Sequence, residues 1–103
     1  MAETPAHSME QVWLVEATYA PDAAATRAPF RARHLARAAE LKAAGVIVEV
    51  GAFADVSGSV LLIRAATEQD ALGICRDDVY MQNGVWVELR AKAFGRLRLD
   101  AEG

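Results

Sequence analysis

The sequence predicts an α+β fold of the ferredoxin-like kind, a βαββαβ chain whose antiparallel sheet carries two helices on one face. Three observations predict it. The apolar pattern switches between period two and period 3.6 in the order strand, helix, strand, strand, helix, strand. Val56-Ser57-Gly58 between the two middle strands reads as the turn of an antiparallel hairpin. The length of 103 residues, of which 53% are hydrophobic, suffices for one core and hardly for two.

Met1–Glu10 reads as a flexible leader in which His7 is solvated, followed by a single domain over residues 11–99 and a polar tail over 100–103. Gln11–Tyr19 alternates, with Trp13, Val15, Ala17 and Tyr19 on one face, and is the first strand. A connector containing Pro21 leads to Thr26, the expected N-cap of a helix that runs to Ala44 and stops at Gly45, with Pro29 in its first turn. Strand two is Val46–Val50. Strand three, Ser59–Ala65, contains the run Val60-Leu61-Leu62-Ile63, which reads as central and covered on both sides. Thr67 caps helix two, which continues through Cys75, a small core residue. Asp77–Gly84 connects to the last strand, and Asn83-Gly84 is its turn signal. Val85–Phe94 is strand four, with Val85, Val87 and Leu89 alternating against Trp86, Glu88 and Arg90, and Arg96–Leu99 is a separate extended piece. Two helices cover one face only, whereas strands one and three are apolar on both sides. The pattern therefore predicts a homodimer that closes sheet against sheet.

The first helix carries the chemistry. At about 100° per residue, Arg27, Phe30, Arg31, His34, Ala38 and Leu41 share one inward arc, while Arg33, Ala36, Arg37 and Glu40 take the solvated side. Arginines on a packing face need carboxylates or an anionic ligand, because unpaired buried charge costs several kcal/mol. Arg27 and Arg31 are thus candidates for holding a small anion. With a net charge of −3 and pI near 5.3, nothing favours nucleic acid or an anionic membrane. No apolar run reaches the roughly 18 residues of a spanning helix, and no signal peptide is evident, so a cytoplasmic protein is expected. The lone Cys75 excludes an intrachain disulfide and a multi-thiolate metal site. No phosphate-cradling glycine loop is present.

Several stretches together resemble the YCII-related family of the dimeric α+β barrel superfamily. Arg31-Ala32-Arg33-His34-Leu35 resembles its Arg-x-x-His-Leu helix motif, and Val50-Gly51-Ala52-Phe53 its glycine turn after strand two. Gly58-Ser59-Val60-Leu61-Leu62-Ile63 is similar to its third strand, and Asp78-Val79-Tyr80 to its Asp-Pro-Tyr segment, with Val79 in the proline's place. The resemblance implies a dimeric α+β barrel whose proposed active-site pair corresponds to His34 and Asp78. One of the few family members with an assigned activity is a dehydrochlorinase.

If Asp78 orients His34, the pair suits proton abstraction, isomerisation or elimination on a small anionic or phenolic substrate held by Arg27 and Arg31. The expectation is a lyase- or isomerase-like protein without cofactor or metal, the arginines opposing a bound cation. Two alternatives stand beside it. The same dimer could be a non-catalytic module binding a small ligand or a protein, or His34 and Asp78 could be a buried structural pair with the arginines closed onto Asp55, Asp77 or a partner subunit. Ser59 is a turn or edge residue first and a substrate contact second. Tyr80 and Trp86 read as packing before pocket walls.

Overall fold

The computed structural model describes residues 7–99; the expected leader up to residue 6 and the tail from residue 100 lie outside it, as does the side chain of His7. The elements are β1 (His7–Tyr19), α1 (Ala23–Thr26), a 3-10 turn (Ala28–Phe30), α2 (Arg31–Ala43), β2 (Ile47–Ala52), β3 (Gly58–Ile63), α3 (Glu68–Arg76), α4 (Val79–Gln82) and β4 (Trp86–Leu99). The four strands form one antiparallel sheet in the order β2-β3-β1-β4. This is the expected ferredoxin-like topology. The core lies on the helix-covered face, where Val15, Ala17, Leu61 and Ile63 meet Ala71, Cys75, Tyr80 and Trp86.

The long first helix is divided. Thr26 ends α1 instead of capping a helix, and the chain tightens into the 3-10 turn before α2 begins at Arg31. Pro29 is the reason: inside an α-helix its ring clashes with the carbonyl four residues back and it has no N–H to donate. The far end behaves as expected. Gly45 adopts φ +80°, its N–H donates to Lys42 O at 3.0 Å, and Val46 N–H donates to Leu41 O at 2.9 Å. That pair of bonds satisfies the last carbonyls of α2 in a Schellman arrangement. Thr67 caps α3 by accepting the Asp70 N–H at 3.1 Å. In place of a plain connection after α3, Asp78 caps the one-turn helix α4.

β4 departs most from the expected pattern. It is continuous from Trp86 through Gly95 to Leu99. Tyr19 pairs with Trp86 while Thr18 pairs with Glu88, so Val87 is an extra residue in the ladder. This bulge breaks the expected alternation: Trp86 is 1% exposed and Val87 52%. β1 also begins earlier than expected, because residues 7–12 pair with β4 residues 94–99 beyond the end of β3. Glu10 fixes this two-stranded arm by accepting from Arg64 Nε at 2.6 Å and from Arg96 Nη1 at 3.1 Å. The sheet face away from the helices presents Leu14, Glu16, Val60, Leu62, Arg90 and Lys92, placed there by their register opposite one another.

Candidate active site

His34 is the one buried residue of α2. Helical spacing turns it toward the sheet, and its ring lies flat on Tyr80, with centroids 3.7 Å apart and planes inclined by 7°. Trp86 meets the same imidazole edge-on at 5.2 Å and 87°. The bulge at Val87 is what turns Trp86 inward to make this contact. The indole Nε1 is buried without a hydrogen-bond partner among the described residues.

Asp78 fixes the ring within its plane. His34 Nδ1 lies 2.8 Å from Asp78 Oδ1. Since an ionised carboxylate only accepts, the proton sits on Nδ1 and leaves Nε2 with its lone pair. Oδ1 also accepts the Tyr80 N–H at 2.9 Å, and Arg37 Nη1 donates to Oδ2 at 3.3 Å. Burial works to raise the Asp78 carboxyl's pKa. The hydrogen bonds from His34 and the Tyr80 amide, with the charge of Arg37 and that of His34 when it is protonated, outweigh it and hold the group below the ordinary carboxylate range. It is Asp78, not Asp77, that faces His34.

In front of the imidazole lies a cavity of about 170 Å³ between α2 and the β2–β3–β1 end of the sheet. Its polar lining is Arg27, Arg31, His34, Ser59, Tyr19 and Tyr80, and its apolar lining comes from Leu35, Ala38, Val50 and Ala52. Among the described residues no hydrogen bond engages His34 Nε2, and no carboxylate pairs with Arg27 or Arg31. The expected burial of these arginines is not observed: Arg31 is exposed and Arg27 half-buried at the cavity. Both lower the pKa of Tyr80, which burial first and Tyr19 second push upward. No group of three or more His, Cys, Asp or Glu side chains able to hold a metal occurs among the described residues.

The structure therefore brings Arg27, Arg31, His34 and Ser59 around one cavity, with Asp78 behind the histidine. Ser59 is not an edge residue. It sits on β3 between Ala17 and Ala52, and its hydroxyl donates to Tyr19 OH at 3.3 Å. Tyr80 is both core and cavity wall, whereas Trp86 is core alone. Two residues escaped the sequence reading. Tyr19 ends β1 on the helix-facing side, a position its alternation already gave. Arg37 falls on the solvated side of the helix by angle, yet its place three residues after His34 puts the two one turn apart. No helix among the described residues is long and apolar enough to cross a membrane.

A comparison with curated proteins finds no match. A solved structure, that of 5-chloro-2-hydroxyhydroquinone dehydrochlorinase from Burkholderia phenoliruptrix in complex with 2,5-dihydroxybenzoquinone, superposes with a TM-score of 0.70. The identity is 21%, and the match covers 81% of this chain and 92% of that one. At that identity the likeness establishes the fold. The family model of the YCII-related domain matches residues 12–95, a span that takes in β2, β3, most of β1 and β4, His34 and Asp78, and the chain belongs to the YCII-related family.

Proposed function

We propose that the protein is a small enzyme of proton-transfer chemistry, lyase- or isomerase-like, acting on a small anionic or phenolic molecule. The observation that carries this reading is the single imidazole whose Nδ1 is occupied by Asp78 at 2.8 Å while the residue lines a cavity with Arg27 and Arg31, neither paired with a carboxylate among the described residues. A histidine so oriented can take a proton on Nε2 from substrate carbon or hydroxyl and return it later. In an elimination, the electron pair released by that proton expels a leaving anion such as chloride. Arg27 and Arg31 hold the substrate's ionised oxygen, and Ser59 offers a hydroxyl contact. Such a reaction needs a base and an anion clamp and no cofactor. The quinone bound by the dehydrochlorinase of like fold is a molecule of this class.

The test is turnover. Halogenated and hydroxylated benzenoid acids and phenols are offered to the wild type and to His34→Gln, with binding followed by calorimetry. The reading expects turnover lost in His34→Gln while affinity stays within a few fold, and an affinity loss in Arg31→Gln. A wild type that binds members of this panel but turns over none would leave a non-catalytic binding module. Binding to none would overturn the anion site.

The site is proposed to work in a cytoplasmic homodimer closed through the open sheet face. Leu14, Val60 and Leu62 there form an apolar field on a sheet that has helices on the other side only. Light scattering on a sizing column checks it, and a monomer at micromolar concentration would refute it.

A further inference from the structure

We propose that Arg37 is a positioning residue, holding the plane of the Asp78 carboxylate so that one oxygen stays directed at His34. The inference rests on the reading of His34 as the proton carrier. A carboxylate has two equivalent oxygens, and rotation about its terminal bond exchanges them. Here they have unlike partners. Oδ1 accepts from the His34 imidazole at 2.8 Å and the Tyr80 amide at 2.9 Å, while Oδ2 faces only the Arg37 guanidinium, at 3.3 Å. A half-turn restores the same arrangement with the oxygens exchanged, but a quarter-turn would take an oxygen from the imidazole and the Tyr80 amide together. Arg37 opposes that rotation from the second oxygen, which has no other donor among the described residues.

The location supports a role beyond packing. Arg37 is partly exposed, with 29% of its side chain accessible against 6% for Asp78, so it reaches inward from the solvent side of α2 to a buried acid. His34 meets Asp78 from the start of α4 and the ring of Tyr80, Arg37 reaches it only through Asp78, and Arg27, Arg31 and Tyr19 line the same cavity. Arg37 is the cation that touches the orienting carboxylate and not the cavity. It therefore acts through Asp78 and not on a ligand.

The experiment is NMR on isotopically labelled full-length protein, comparing the wild type with Arg37→Gln and Arg37→Lys. Long-range nitrogen correlations report which His34 nitrogen carries the proton, and the Asp78 side-chain carbon reports its titration. In Arg37→Gln the inference expects a native amide spectrum, a His34 that becomes a mixture of tautomers, and an Asp78 carboxyl that titrates at higher pH. Arg37→Lys restores both, because the existing contact uses one nitrogen and not a fork. A variant with the wild-type tautomer and Asp78 titration, altered only in stability, would overturn the positioning role and leave the reading of His34 intact. Should Arg37→Gln not fold, Arg37→Met decides in its place: a mixture of His34 tautomers supports the inference, and a single wild-type tautomer overturns it. A wild-type His34 protonated on Nε2 would overturn both this inference and the dyad beneath it.

Discussion

The imidazole of His34 and the phenol ring of Tyr80 lie parallel at 3.7 Å, while the backbone amide of Tyr80 and Nδ1 of His34 share one oxygen of Asp78. Two independent constraints thus define the histidine: the stack sets its plane and the carboxylate sets its rotation within that plane. Asp78 is able to do this because it is also the N-cap of α4. The turn that ends the helical layer and the group that orients the imidazole are one side chain.

Tyr80 should therefore matter for its ring more than for its hydroxyl. Tyr80→Phe keeps the stack and should change stability by less than about 1 kcal/mol, whereas Tyr80→Ala should cost about 3–5 kcal/mol, as for other buried aromatics. Urea unfolding followed by tryptophan fluorescence measures both.

Acid should loosen the fold through Asp78. Its folded pKa lies below the ordinary 3.8, so its contribution is present above that value and is lost as the pH falls through the lower folded value. Asn also caps helices, so Asp78→Asn should keep α4 while losing charged contacts worth on the order of 1–3 kcal/mol at neutral pH. Unfolding curves between about pH 7 and about pH 3 should show a shallower acid decline in the variant than in the wild type.

Cys75 should be inert in the native protein. It is 1% exposed, and burial, followed by the Asp78 charge and opposed by Arg37, pushes its thiol up to about 12. Only the thiolate reacts with alkylating agents. Mass spectrometry after iodoacetamide treatment should find the native chain unmodified and the urea-unfolded chain singly alkylated.

The same substitution at two glycines should give different results. Gly45→Ala places a side chain at φ +80° and should cost about 1–2 kcal/mol. Gly95→Ala meets Met9 Cε at 2.6 Å, but that atom ends a flexible side chain near the outer end of the arm, so thermal unfolding should move by less than the equivalent of about 1 kcal/mol.

What could be read from the sequence was what neighbouring residues decide. The Thr67 cap, the Gly45 stop and the Asn83-Gly84 turn are local chemistry, and Gly84 does adopt φ +72°. Arg27, Arg31 and His34 came together through helical spacing even though Pro29 divides the helix, because the 3-10 turn preserves the direction of the chain. Asp78 was legible through motif similarity alone, since nothing local joins it to a histidine so far away in sequence. The bulge at Val87 and the continuity of β4 through Gly95 depend on the register against β1, which a strand's own residues do not encode. Arg37 was misplaced for another reason. Angular position on a helix locates the backbone, while a guanidinium on a long flexible stem reaches around it.

Trp86 belongs to β4, and β4 is the strand that borders β1 along its whole length. A growing chain that has emerged as far as α4 already contains His34 and Asp78 but not the indole they pack beside, and one side of β1 is still unpaired. The site is thus completed late in synthesis, by contacts between the two ends of the domain, of the non-local kind that form slowly. An unfinished or truncated polypeptide would carry the residues of the site without its architecture, and its open strand edge would expose it to chaperones and proteases.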